Sequence, residues 1–206
     1  IMHRDVDPVH AVATGDDQAA CGDCVFRPVS EGLCYVNTGQ APLMIWRTYQ
    51  RGGYEKCDLR TRAHQQMFAG RDMRLGAYGE STAVPRSFWD RFLLRIDRHT
   101  GYTHQWARFP EYQDILMASV HSEFEAQCAA EMGWRTFRSR NEDQPVLPNE
   151  VVCPASEEAG FRRTCSTCMG CSGGDSRRRS FAIVAHGRRN MAPRLKQFHS
   201  AYTGGA

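Results

Sequence analysis

The sequence predicts an α/β protein with a mainly parallel sheet, built as a partial barrel or an open βα repeat, carrying cysteine-rich metal-binding loops. Three observations lead there. From residue 73 onward short apolar runs alternate with stretches of helical periodicity, the pattern of βαβ units. The chain has 206 residues, room for one domain with a sizeable core. Its nine cysteines fall mostly into two groups.

Residues 1–20 are polar and read as an irregular lead-in. A cysteine loop follows over 21–34 and ends in Leu33-Cys34-Tyr35-Val36. Pro42 opens a helix with Leu43, Ile45, Trp46 and Tyr49 on one side, and Gly52-Gly53 stops it. Met73–Tyr78 reads as a strand. Ser81 is expected to cap the next helix, Pro85 fits its first turn, and Phe88, Trp89, Phe92, Leu93 and Ile96 supply its apolar stripe. Gly101 is expected to end that region before a strand over Tyr102–Trp106. Another strand, Ile115–Val120, leads into a helix through Phe124, Cys128 and Met132 to Gly133. Strands at Trp134–Arg138, Val151–Cys153 and Phe181–His186 complete the set. The resulting division is a lead-in over 1–20, one α/β metal-binding domain over 21–190 and a flexible tail over 191–206. Trp46, Trp89 and Trp134 are expected in the core, and Cys128 as a buried thiol on its helix.

Composition narrows the setting. The apolar share is 41% and the charged share 24%, ordinary for a folded protein, and the net charge is +3. No apolar stretch reaches the ~18 residues a membrane span needs, and the first residues lack a signal-peptide pattern, so a cytoplasmic protein is expected. Cytosolic thiols stay reduced, which turns clustered cysteines toward metal or redox chemistry rather than disulfides.

The second cysteine group is the strongest signal. Cys153 precedes Cys165-x-x-Cys168-x-x-Cys171, and Gly170, Gly173 and Gly174 allow the tight turns that aim sulfurs at one centre. Four thiolates suit zinc and suit a cubane iron–sulfur cluster equally. Arg162, Arg163 and the run Arg177-Arg178-Arg179 flank this loop and could balance thiolate charge or touch nucleic acid. The first group, Cys21, Cys24 and Cys34, supplies three ligands. It leaves an open position for a substrate or small molecule, unless Cys57 or a histidine closes it into a structural zinc site.

Parallel α/β folds bind ligands beyond the C-terminal ends of their strands. Gly79 and Glu80 come after one strand, His104 lies within the next, His121 after another, and Cys153 and His186 at two more, so one face of the sheet is expected to gather them. Glu80, His104 and His186 are the candidate catalytic groups, and Gly79 with Glu80 the candidate contact for an amine. An unknown small-molecule or macromolecular substrate is the expected partner.

The blocks Cys21-x-x-Cys24 with Phe26-Arg27, Cys34-Tyr35-Val36, Arg74–Gly79, Gly101–His104, Met117–Ser119, Gly133–Arg138, Cys153-Pro154-Ala155, the Cys165–Cys171 triplet and His186-Gly187 resemble an uncharacterised family of phage and prophage proteins. More distantly, the layout is similar to radical S-adenosylmethionine enzymes. That resemblance implies a [4Fe–4S] cluster on Cys21, Cys24 and Cys34, with Gly79 and Glu80 facing S-adenosylmethionine. The spacing differs: two and nine residues separate the cysteines here, against three and two in those enzymes.

Overall fold

The computed structural model describes residues 1–24, 26, 27, 34, 36–174 and 178–185. Six strands form one sheet: β1 (Asp72–Leu75), β2 (Arg98–Thr103), β3 (Met117–Val120), β4 (Thr136–Arg140), β5 (Glu150–Val152) and β6 (Ser180–Val184). Their order is β1-β2-β3-β4-β6-β5, and all run parallel, interleaved with helices. The α/β class with a parallel sheet is therefore correct. No helix among the described residues is long and apolar enough to cross a membrane. The chain divides into two compact units, residues 1–99 and 100–206.

In the first unit, helices α1 (Pro8–Thr14) and α2 (Gln18–Cys21) form within the segment expected as an irregular lead-in. Asp7 caps α1 by accepting from the amides of Val9 and His10, Pro8 supplies its first turn, and Gly15 ends it in the left-handed region. Helix α3 (Ala41–Gln50) begins at Pro42 as expected, but Trp46 is only half-buried and donates its indole N–H to the His3 carbonyl at 3.1 Å. Helix α4 (Arg62–Phe68) leads to β1. Glu80, not Ser81, then caps a 3-10 turn over Ser81–Ala83, and α5 (Arg86–Leu93) follows Pro85. The stripe of α5 is apolar as read: Trp89 and Phe92 are buried, Phe68 meets Phe92 edge-on at 5.0 Å, and the Trp89 indole donates to the Ser81 carbonyl.

The second unit holds the most buried part of the chain. Helix α6 (Glu123–Glu131), capped by Ser122, connects β3 to β4 and packs on both. Phe124, expected on its inner stripe, is 75% exposed, and Cys128 is half-buried; Ala126 and Ala129 are the residues α6 buries. Small side chains there let the helix approach the strands closely. β2 starts at Arg98, so Gly101 lies inside the strand rather than ahead of it. Its lack of a side chain suits the close approach of another segment, since the Gly101 amide donates to the Cys171 carbonyl at 2.8 Å.

Register assigns the two faces. Tyr102 pairs with Met117, Ser119 with Phe137, and Phe137 and Val151 with Phe181. Side chains alternate along each strand, so these residues share one face. Met117, Phe181 and Cys171 form a buried cluster there, with Tyr102, Phe137 and Val151 against it. The opposite face carries Ala118, Val120, Thr136 and Arg138. Arg138 is fully buried and forms a two-pronged ion pair with Glu150, at 2.8 and 2.7 Å. Its guanidinium also reaches the Pro145 carbonyl, while Glu150 accepts the Leu147 amide, so one pair ties the 141–149 connection to β4 and β5.

Candidate metal centres

The Cys21–Cys24 turn is built from backbone bonds. The Cys21 amide donates to Asp17, Gly22 to Gln18, Cys24 to Cys21, and Arg27 to Cys24, all at 2.8–3.1 Å. Gly22 takes a positive φ that a side chain would disfavour. The Arg27 guanidinium gathers the loop from within. It pairs with Asp17 and donates to the carbonyls of Gly15 and Gly22, both at 3.0 Å, and to the Gln18 amide oxygen at 3.2 Å.

Cys21, Cys24 and Cys34 are half-buried and act on one another. Burial first, then Asp17, then the neighbouring thiols push the Cys21 thiol well up from its ordinary value. Burial lifts Cys24 to about 12, opposed by the Phe26 amide, while Cys34 and Glu80 add to the rise and Arg27 counters it. Tyr78 is raised by burial and then by Cys21, Asp17 and Cys34. The three thiols, Tyr78 and the two carboxylates Asp17 and Glu80 thus form one neighbourhood in the first unit. Cys57 lies exposed in the 53–61 loop.

Glu80 is buried and accepts from the Thr82 amide and hydroxyl, both at 3.2 Å, so its carboxylate also serves as a cap. Gly79 adopts φ 115°, and a Cβ there would sit 2.4 Å from the Ile1 carbonyl oxygen. The Ile1 ammonium donates to the Tyr78 carbonyl at 2.8 Å. Ile1 occupies the space beside Gly79.

The second centre lies on the Tyr102–Phe181 face. Cys153 follows β5, and its amide prolongs the ladder by donating to Ala182 at 2.8 Å. Cys165 and Cys168 begin and end a one-turn helix, α7 (Cys165–Cys168), which Thr164 and Thr167 close as a reciprocal capping box. Cys171 enters the core. Cys153 and Cys171 are buried, Cys168 is half-buried and Cys165 exposed. Burial raises Cys153, the Ala155 amide opposes this, and Cys165 and Cys168 add to it. Burial carries Cys171 up to about 12; a hydrogen bond from the Tyr102 hydroxyl and the charge of Arg135 oppose it, while Cys153 and Cys168 add to it. Cys153 therefore interacts with the other three thiols, and Cys171 with Cys153 and Cys168. Gly173 (φ 70°) passes so close to the backbone of Gln113, Ile115 and Leu116 that a Cβ would lie 2.6–2.8 Å from it. Arg135 fastens this loop by donating to the carbonyls of Gly173 and Arg179 and lies over the Phe181 ring.

Among the described residues, no three His, Cys, Asp or Glu side chains stand close enough to hold a metal ion. Burial raises Cys21, Cys24, Cys153 and Cys171, and these four are neutral thiols at pH 7. Metal binding would have to release their protons and draw the sulfurs inward. The donor set itself fits iron or zinc: thiols in two groups, some receiving amide or hydroxyl hydrogen bonds that stabilise a thiolate.

His104 follows β2 by one residue instead of lying within a strand. Desolvation lowers it to about 4, its Nε2 lies 3.2 Å from the Ser119 hydroxyl, and its ring stacks on that of His121 at 5.3 Å. A neutral His104 imidazole beside a hydroxyl can donate and accept hydrogen bonds but resists becoming charged. His186 and Arg177 lie outside the described residues; Arg178 and Arg179 are exposed. The sequence reading did not single out Asp17, Tyr78, Tyr102 or Arg135 as site residues. Comparison with family models, curated proteins and solved structures finds no match to this chain.

Proposed function

We propose that this chain is an iron–sulfur protein, similar in kind to radical S-adenosylmethionine enzymes, whose working centre is the loop of Cys21, Cys24 and Cys34. The observation that supports this reading is that those thiols interact electrostatically with one another, with Glu80 adding to the effect at Cys24. Three thiolates leave iron a coordination position that a substrate can enter, and a bound cluster would supply one-electron chemistry. The chain's own residues have distinct parts in this scheme. Arg27 offsets thiolate charge, the Phe26 amide hydrogen-bonds Cys24, and Glu80 offers a carboxylate to an amine or a proton. The four-thiol loop is read as a second metal centre that binds β5 to the core. S-adenosylmethionine enters the proposal only with displacement of Ile1 from Gly79.

A zinc-stabilised module contacting nucleic acid, encoded by a phage or mobile element, is the second reading. The exposure of Arg178 and Arg179 next to the four-thiol loop favours it. Anaerobic purification with iron, sulfide and zinc analysis decides between them. Brown protein whose iron falls in Cys24→Ser supports the enzyme, and a reduced-state electron paramagnetic resonance signal altered by S-adenosylmethionine extends it to that cofactor. Colourless protein with stoichiometric zinc and no iron removes it.

A further inference from the structure

Among the described residues, two other than glycine take the left-handed backbone conformation that side chains disfavour, Phe161 (φ 49°) and Met169 (φ 47°). Both lie in the loop between β5 and β6, on either side of Cys165 and Cys168. Between them the chain makes the single turn α7. Thr164 closes its start, donating its amide to the Thr167 hydroxyl at 3.0 Å and accepting the Thr167 amide at 3.3 Å. Met169 ends it at once, its amide returning to the Cys165 carbonyl at 2.9 Å. Cys165 and Cys168 thus stand three residues apart on a fixed turn, the spacing at which side chains share one face of a helix. Their depths differ. Cys165 is exposed and Cys168 half-buried. The Cys168 sulfur lies against Gly170, where a Cβ would stand 3.3 Å from it and 2.7 Å from the Phe181 ring. A reagent arriving from solvent therefore meets Cys165 first, with a second thiol one turn behind it. A metal calls for a third ligand close by, which this loop does not bring. Exchange between thiols and disulfides calls for only two sulfurs.

We infer that Cys165 and Cys168 form a thiol–disulfide exchange site for an accessible peptide or small-molecule disulfide, with Cys165 attacking and Cys168 resolving. The Cys165 thiolate attacks one sulfur of a disulfide RS–SR′. A Cys165–SR bond forms, and R′S⁻ leaves and takes up the proton that Cys165 gave up. The Cys168 thiolate then attacks the Cys165 sulfur, closing the Cys165–Cys168 bond and expelling RS⁻, which takes the Cys168 proton. Two electrons pass to the substrate, which departs as two thiols. A disulfide brings its Cβ atoms to about 3.5–4.5 Å, against about 5–6 Å for neighbours on a helix face, so the turn must tighten. A four-residue helix released at Met169 has no further turns to resist this. The resulting bond is strained and exposed, the kind readily passed on to another thiol, which restores the dithiol. Cys153 stands within electrostatic reach of both sulfurs and is the competing partner. The site is separate from the Cys21 loop, and it acts only while the four-thiol loop holds no metal.

The test treats the full chain as isolated, its metal content measured, with glutathione disulfide. Samples are quenched in acid, alkylated and mapped by mass spectrometry. The expected wild-type product is a Cys165–Cys168 disulfide with little glutathione at either residue. Cys168→Ser should trap glutathione on Cys165 at about tenfold the wild-type occupancy. Cys57, also exposed but with no cysteine near it in sequence, should keep its glutathione in both chains. The assignment is overturned by Cys165 retaining glutathione in the wild type as Cys57 does, or by a bond from Cys168 to Cys153 instead. Metal held at this loop that leaves its thiols unreactive overturns it as well. None of these results bears on iron lost in Cys24→Ser, so this inference and the proposed function fail separately.

Discussion

Replacing Glu150 by Gln should leave the Arg138 guanidinium charged, buried and half-satisfied. Arg138 is fully inaccessible, Glu150 is 3% exposed, and two short hydrogen bonds join them. Removing one member of a buried pair costs about 3–5 kcal/mol because the surviving charge cannot return to water. The Pro145 carbonyl still accepts one guanidinium N–H, which places the expected loss near the lower end, about 3 kcal/mol. A domain has only about 5–15 kcal/mol to lose, so the effect is a substantial share. Urea denaturation followed by tryptophan fluorescence reads it, since Trp134 is wholly buried in the same unit. The double variant Arg138→Met, Glu150→Leu removes both charges and should recover most of the loss, as hydrophobic replacements of buried pairs often do. A loss under about 1 kcal/mol for Glu150→Gln, or a double variant as unstable as the single one, would refute the claim that pairing in a dry interior is what matters here.

His104 gives a pH signature. Its folded-state pKa of about 4 lies below the usual imidazole value, so between pH 6.5 and 4 the unfolded chain binds a proton that the folded chain refuses. Stability should fall as pH drops through that window, by about 3 kcal/mol for this group, and His104→Gln should flatten the slope in pH-dependent denaturation. Gly173→Ala should destabilise by about 2 kcal/mol or more, because its Cβ would strike backbone at Gln113, Ile115 and Leu116. Gly160→Ala, at φ 68° with open space around it, should cost only about 1 kcal/mol; equal thermal shifts for the two would refute the packing argument. Cys168→Ser should lower the melting temperature of metal-loaded protein and leave the metal-free protein unchanged within error.

Much of the sheet was legible because its cause is local. Apolar runs such as Ile115–Val120 and Phe181–Val184 are too hydrophobic for a solvated strand, and helical spacing between them implies parallel crossovers. Gly101 was misplaced because a glycine that ends a helix and one that admits a neighbouring segment look alike in sequence; the visitor, Cys171, lies seventy residues away. Arg138 and Arg140 are both buried, paired with Glu150 at the start of β5 and Glu158 in the loop after it, partners that no local pattern around residues 138–140 announces. The cysteine spacings announced two groups, but Asp17 fell in the polar stretch read as an irregular lead-in. Its four-residue offset from Cys21 was the available signal. The pairing of His104 with Ser119 and His121 depended on strand register, which no local pattern encodes.

The strand order has a bearing on how the protein is made. β6 lies between β4 and β5, although it comes last in sequence among the described strands. While the ribosome is still adding residues up to Val184, β4 has an open edge and β5 has nothing to pair with. Such an edge is exposed to wrong partners for as long as synthesis lasts. The segment joining β5 to β6 is the one carrying Cys153, Cys165, Cys168 and Cys171, and it emerges just before the strand that completes the sheet. A nascent chain that acquires metal at this loop would hold β5 beside the place its neighbour must fill. A chain cut short before Ser180 would release two strands rather than one.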